Sequence, residues 1–217
     1  MTSMADPVDS VEARPLLIFP FNGNGLEALD CLDGQFRLLG FVDDTPEKQG
    51  QTPYGSVVFS REALARWPRA QVLAVPGGPA SFQSRRAIID GLGIETSRFA
   101  RVIHPSARVS ALATIGHNVL IMAGVVITSN AVIGDHVCVL PNTVIHHDST
   151  VGSGCLVGSN VTVAGNTVIG ENCYIATGSS LMNGLEIGAG TLVGLGSTVI
   201  RSVPAASRIA GNPARPV

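Results

Sequence analysis

The sequence is poor in charge, aromatics and lysine. Of 217 residues only 14% are charged and 5% aromatic, the formal net charge is −2, and Lys48 is the only lysine. No Lys/Arg block exists to displace counterions from phosphates, which argues against nucleic acid as a partner. A mean hydropathy of +0.34 would suit a membrane protein. The longest stretch free of polar side chains, 119–127, nevertheless has nine residues, about half of the roughly 20 a membrane helix needs, so no membrane span is expected. Residues 1–14 (MTSMADPVDSVEAR) lack the basic and apolar regions of a signal peptide and are expected to form a flexible tail. The four cysteines, Cys31, Cys138, Cys155 and Cys173, show no CxxC spacing. No disulfide framework is expected, and a reducing cytoplasm fits them.

The scarcity is uneven along the chain. Between Ile103 and Ile200 there are five charged side chains (Arg108, Asp135, Asp148, Glu171, Glu186) and one aromatic, Tyr174. Trp67, Tyr54 and all seven phenylalanines precede residue 100. Two differently built domains are therefore expected, 15–102 and 103–217.

The second domain is a repeat. From Ile103, every sixth position through Val199 is Ile, Val or Leu, 17 of 17 without a slip. The position three further on is Asn or Gly in 12 of the 17, the types that most readily accept positive φ. A helix has a period of 3.6 and a two-sided sheet a period of 2, so neither explains a period of six. One aliphatic, one small residue and one turn former describe a short parallel strand and a tight corner. Three such units close a triangular coil of 18 residues, and coils stack at about 4.8 Å through backbone hydrogen bonds. Cys155 and Cys173, 18 apart at the small inward position, are expected to stack as reduced core residues.

The first domain reads as α/β. A buried strand over 15–21 (PLLIFPF) leads into the turn Asn22-Gly23-Asn24-Gly25 and a helix of about ten residues. A second strand over 37–42 ends at Asp43-Asp44, and a third over 71–75 ends at Pro76-Gly77-Gly78 before a helix over about 80–92. This alternation implies a small parallel Rossmann-like sheet with its ligand beyond the strand C-termini. The glycine turns suit a pyrophosphate. Phe19 and Pro20 stand where a full GxGxxG would have glycine, which disfavours a dinucleotide. Asp43 and Asp44 are placed to meet a ribose or a base edge, and a carboxylate matches the paired N–H donors of guanine.

Five histidines are present, at 104, 117, 136, 146 and 147. In the 18-residue frame His147 lies at an outward corner between Ser129 and Gly165, both small, with Asp148 next to it. An imidazole beside a carboxylate has the make-up of a general base. His117 and His136, with Asp135, gather near another corner. Zinc needs three converging ligands and the frame places only two histidines there, so no metal is expected.

The run Ile145-His146-His147-Asp148, with Ala164-Gly165-Asn166 and the closing Ala210-Gly211-Asn212-Pro213-Ala214-Arg215, resembles the sugar acetyltransferases of the sialic acid O-acetyltransferase type. It is most similar to their nucleotide-sugar N-acetyltransferases acting on 4-amino-4,6-dideoxy sugars. The resemblance implies a left-handed parallel β-helix, a homotrimer with active sites between subunits, acetyl-CoA as cosubstrate and a role in surface-polysaccharide sugar synthesis. It makes His147 the base, Asp148 its acidic neighbour and Gly165 the oxyanion donor. It assigns the CoA groove to Ala164, Gly165, Thr177 and Leu195. The adenine and phosphate end falls to Arg201, Arg208, Asn212, Pro213 and Arg215, and the nucleotide sugar to Asn22, Gly23, Asn24, Gly25, Asp43, Asp44, Gly77 and Gly78. A GDP-linked sugar is favoured over a UDP-linked one. Sugar O-acetylation on the same base, and a metal-dependent hydratase on the same β-helix, are the alternatives. Many relatives carry a second histidine nine residues after the base, where this chain has Leu156.

Overall fold

A computed structural model describes residues 13–217. The expected flexible tail lies outside the described residues except for its last two, and Arg14 already opens the first strand. That strand, β1 (Arg14–Phe19), joins β2 (Phe36–Val42), β3 (Val58–Phe59) and β4 (Gln71–Ala74) in a parallel sheet of order β3-β2-β1-β4. The chain leaves β1 toward β2 on one side and returns to β4 on the other. The crevice beyond the C-termini of β1 and β4 is therefore the switch point at which such sheets bind ligands.

Two elements of this domain escaped sequence reading, β3 and a short helix, α2 (Glu62–Arg66). The expected ten-residue helix after the first turn is α1 (Gly23–Glu27) followed by a 3₁₀ turn over Ala28–Cys31. The one expected over 80–92 shrinks to a 3₁₀ turn at Phe82–Ser84 and α3 (Arg85–Asp90). Two glycines within five residues make α1 a poor helix on propensity alone. Its start is held by Asn22, whose side chain accepts from the Gly25 N–H at 2.8 Å.

The second domain is a three-sided parallel β-helix. Two-residue strands recur every six residues and, until the last coil, pair with strands 18 residues away, as Val144–Ile145 does with Val126–Ile127 below and Thr162–Val163 above. Face one begins with Arg101–Ile103 and carries Cys138–Val139, Leu156–Val157 and Tyr174–Ile175; face two carries Val144–Ile145; face three carries Thr150–Val151. Arg101 and Val102 already belong to the first coil. The repeated aliphatics fill the prism, from Ile121 to Val199 all buried. The small inward positions tie coil to coil. The Thr143 hydroxyl donates to the Gly158 carbonyl at 2.7 Å and accepts from the Val161 N–H at 3.0 Å. Cys155 and Cys173 stack as expected, with the Cys173 N–H 3.3 Å from the Cys155 sulfur.

The corners obey one rule. Every sixth residue from Asn118 to Gly196 has a left-handed φ, and twelve of these fourteen are Asn or Gly. The two exceptions, His136 (φ 61°) and Asp148 (φ 57°), hold a conformation that asparagine or glycine would adopt more cheaply. Both have a further task.

A second period, of 18, lies within the first. The outward residues of face one, Leu120, Cys138, Leu156, Tyr174 and Leu192, are all apolar, whereas face two shows Val126, Val144, Thr162, Ser180 and Thr198. Face one is therefore the side that the α/β domain covers, and its outward residues share one cluster with Leu16, Ile18, Phe41, Leu73 and Phe82. His136 helps to seal that junction. Its Nδ1 accepts from Asn118 Nδ2 at 3.0 Å, and Asn118 clamps both main-chain groups of Ala74, at 2.7 and 2.8 Å. His136, expected near a corner with His117 and Asp135, is instead buried against the α/β domain.

Candidate active site

The corner between faces two and three carries His147 and Asp148. It is set by main-chain bonds on both sides: the Asp148 N–H donates to the Ser129 carbonyl and the Asn166 N–H to the His147 carbonyl, each at 3.0 Å. Ser149, buried beneath, donates to the Ala164 carbonyl at 3.0 Å. The backbone is therefore rigid before any ligand arrives.

His147 Nδ1 lies 2.7 Å from Asp148 Oδ2. A carboxylate only accepts, so Nδ1 carries the proton and Nε2 of the neutral ring offers its lone pair. Asp148 Oδ1 in turn accepts from Asn130 Nδ2 at 2.9 Å. The Asn130 hydrogen bond, and then that of His147, hold the Asp148 carboxyl below its ordinary value, so it is ionised at neutral pH. The left-handed φ explains the choice of residue: Asp fits where Asn or Gly is the norm and adds the charge that orients the ring. Gly165 completes the arrangement. A Cβ there would meet His147 Cε1 and Nε2 at 2.7 Å, so the reactive edge of the ring rests on the glycine. Among the described residues the Gly165 N–H has no acceptor.

Of the residues expected along the CoA groove, Ala164 and Gly165 sit at the His147 corner, and the others lie apart from it. Thr177 and Leu195 lie on the corner between faces one and two, joined through the Gly196 N–H to the Thr177 carbonyl at 3.0 Å, and Leu195 is 75% exposed. The last coil closes beside them. Arg208–Gly211 pairs with Leu192–Val193 and folds back as a hairpin onto Ala214–Pro216, with Asn212 and Pro213 at its tip. The Gly211 N–H donates to Ser197 on that same corner, at 3.2 Å. Arg201 follows the last face-two strand, Thr198–Val199, and is exposed. Thr177 and Leu195 thus lie on the opposite edge of face two from His147 of the same chain, whereas Ala164, Gly165 and Arg201 lie on the His147 edge.

Of the residues expected to meet the nucleotide sugar, Asn24, Gly77 and Gly78 line a cavity of about 150 Å³ between the domains, with Leu156, Gly158 and Tyr174 on the β-helix side. Gly23 follows the cap, and Gly25 is required by packing, because a Cβ would lie 2.6 Å from the Pro20 carbonyl oxygen. Asn22 is occupied as the α1 cap and as a donor to the Val75 carbonyl. The acidic pair departs from expectation. Asp43 is buried, with its oxygens taken by the Phe21 and Thr45 N–H groups and by Lys48 at 2.9–3.0 Å. Despite the opposing effect of burial, the Thr45 and Lys48 hydrogen bonds hold its carboxyl below the ordinary value. Asp43 ties loops together rather than offering a free acceptor. Asp44 is held by the Arg61 fork at 2.6 and 2.7 Å.

Leu156 lies on face one against Gly77, away from His147 of its own chain. Asp135 accepts from the His117 N–H at 2.6 Å. Among the described residues no three His, Cys, Asp or Glu side chains converge on one point.

The bacterial transferase hexapeptide family (six repeats) matches residues 112–147 and 130–165. PerB from Caulobacter crescentus, solved with CoA and GDP-perosamine, superposes with a TM-score of 0.82 at 25% identity, over 94% of this chain and 97% of that one. The acetyltransferase domain of PglB from Neisseria gonorrhoeae, in complex with acetyl coenzyme A, gives 0.82 at 26% identity over 94% and 100%. The chain is an acyltransferase built on hexapeptide repeats. WeeI from Acinetobacter baumannii shares the acyltransferase's fold, with a TM-score of 0.81 at 24% identity over 94% and 100%. A search of the curated proteins gives no match. These likenesses make the three-sided prism the left-handed β-helix that the resemblance implied. Among the described residues no helix of the acyltransferase is long and apolar enough to cross a membrane.

Three contributors were missed in the sequence. Asn130 is the donor that orients Asp148; Asn118 and His136 fasten the α/β domain to the β-helix. The signal for the last two was available, because the apolar 18-residue period identifies the covered face.

Proposed function

We propose that the protein transfers acetyl from acetyl-CoA to the 4-amino group of a nucleotide-linked 4-amino-4,6-dideoxy sugar, GDP-perosamine being favoured. The observation that carries this is the Asn130–Asp148–His147 relay with its free Nε2 resting on Gly165. The amine nitrogen attacks the thioester carbonyl and His147 Nε2 takes its proton. Asp148 stabilises the imidazolium so formed, and the Gly165 N–H donates to the developing oxyanion. Collapse of the tetrahedral intermediate expels the CoA thiolate, which takes the proton from His147. No acyl-enzyme is needed.

The acceptor enters beyond β1 and β4, where Asn24, Gly77 and Gly78 meet the β-helix. Those residues lie on the Gly158 side, near Thr177 and Leu195, whereas His147 is on the far edge of face two. This separation supports a homotrimer in which His147 of one subunit faces the CoA corner of the next. The four reduced cysteines support a cytoplasmic setting, and the favoured acceptor supports a place in surface-polysaccharide sugar synthesis.

An acetyl-CoA consumption assay across GDP- and UDP-linked 4-amino sugars tests the reading. Turnover on a GDP-linked 4-amino sugar, lowered about 10²-fold or more in His147→Ala, is expected. Near-normal rates in the variant would remove His147 from the mechanism, and preference for UDP-linked acceptors would overturn the choice of base.

A further inference from the structure

Arg85, the first residue of α3, is the largest fully buried side chain of the described residues. Its Nε donates to the Pro76 carbonyl at 2.8 Å and its Nη1 to the His136 carbonyl, while Nη2 is buried without a partner. Among the described residues no carboxylate pairs with it. The nearby Cys138 and Cys155 are no counter-charge, because burial pushes both thiols up, Cys138 to about 12. Burial pushes Arg85 itself down only to about 10, so it stays charged at neutral pH. Buried charges are normally paired, and an unpaired one is costly.

The place of this charge gives it a use. Pro76-Gly77-Gly78 closes over its stem: a Cβ on Gly77 would lie 3.3 Å from Arg85 Cδ, and Gly77 has φ +103°. The N–H groups of Gly77 and Gly78 find no acceptor among the described residues, and both glycines line the interdomain cavity with Asn24. The bonds from Arg85 to Pro76 and His136, together with the Ala74–Asn118–His136 contacts, hold guanidinium and turn in one rigid frame.

We propose that Arg85 is the fixed counter-charge for the diphosphate of the nucleotide sugar, held beneath the Gly77-Gly78 turn whose amides meet the phosphate oxygens. The assignment rests on the nucleotide-sugar reading above and makes Arg85 a positioning residue that never touches the reacting atoms. A charge about 8 Å from a phosphate, in an effective dielectric of about 20, shifts binding about 30-fold.

Calorimetric titration of the full-length protein with GDP, UDP, guanosine, uridine and CoA separates the outcomes. Arg85→Met is expected to weaken the preferred nucleoside diphosphate about 30-fold and its nucleoside less than about threefold, with CoA unchanged. Arg85→Lys, which keeps the charge and loses the fork, is expected to recover most of the loss. In turnover the KM for the nucleotide sugar rises while kcat stays near wild type. Equal losses on nucleoside and diphosphate, or a lysine variant as weak as the methionine one, would make Arg85 a mere tie between domains and overturn the proposal. If Arg85→Met does not fold, Arg85→Gln, neutral but still a donor to Pro76, is read by the same criterion. A wild type that binds neither diphosphate overturns the nucleotide reading as well, whereas tight binding undiminished by the variants overturns only the role of Arg85.

Discussion

Gly165→Ala tests the site with one methyl group. Gly165 is not among the left-handed corners, so alanine brings no backbone strain. The added Cβ would sit 2.7 Å from His147 Cε1 and Nε2, against an ordinary carbon contact of about 3.5–4.0 Å. The ring must retreat by roughly 1 Å. A retreat on that scale stretches the 2.7 Å Nδ1–Oδ2 bond to Asp148 beyond hydrogen-bond length or swings Nε2 off its line. Misplacement of about 1 Å costs on the order of 10²-fold in rate, about 2.7 kcal/mol of barrier. The ring is half exposed, at 56%, and can move outward, so folding stability should change by less than about 1 kcal/mol. Steady-state acetyl transfer and thermal melting, read together, decide. A kcat within threefold of wild type, in a variant whose crystal structure shows the ring displaced, would refute the claim that this geometry drives catalysis.

Asp148→Asn keeps the corner conformation and removes the charge that stabilises the imidazolium; kcat should fall at least about tenfold with an unchanged melting temperature. A Tm drop as large as that of a core mutant would instead mark Asp148 as structural. His136 predicts an acid weakness at the domain junction. Burial, and then Arg86 and Arg85, push its pKa from 6.5 down to about 4, so the unfolded chain takes up a proton that the folded one refuses. Its stabilisation is complete above about pH 6.5 and is lost as pH falls toward 4, by up to about 3 kcal/mol. Urea denaturation between pH 4 and 7 should show this slope. His136→Asn, which accepts the same left-handed φ, should flatten it, and an unchanged slope would dismiss the assignment.

The β-helix was legible because its interior admits one kind of residue at one spacing, and a six-residue period has no competing explanation. The corner of His147 followed from the same count, since stacking in 18s places Ser129 and Gly165 against it without any side-chain geometry. The α/β domain was less legible. Its helices are five and six residues long, too short to show a 3.6 period, and β3 has only two residues. Asp43 shows a different limit. Its place after β2 was read correctly, but its use depends on Lys48, Phe21 and Thr45 closing on it, and nothing in a strand-turn pattern announces that. Leu156 was judged against a missing histidine, whereas its neighbours 18 residues away, Cys138 and Tyr174, show that it packs against the other domain.

The unbroken series of left-handed corners gives the molecule a phase. Adding or removing 18 residues would lengthen or shorten the prism and leave every later side chain on its own face. A change of six would rotate all that follows by a third of a turn, sending the Leu156 face away from the α/β domain and His147 to a different edge. A change of one would put aliphatics outside and polar residues within. Length variation in such a chain is therefore quantised in whole coils, and the distance along the axis between the Gly77-Gly78 turn and His147 can be altered only in steps of about 4.8 Å.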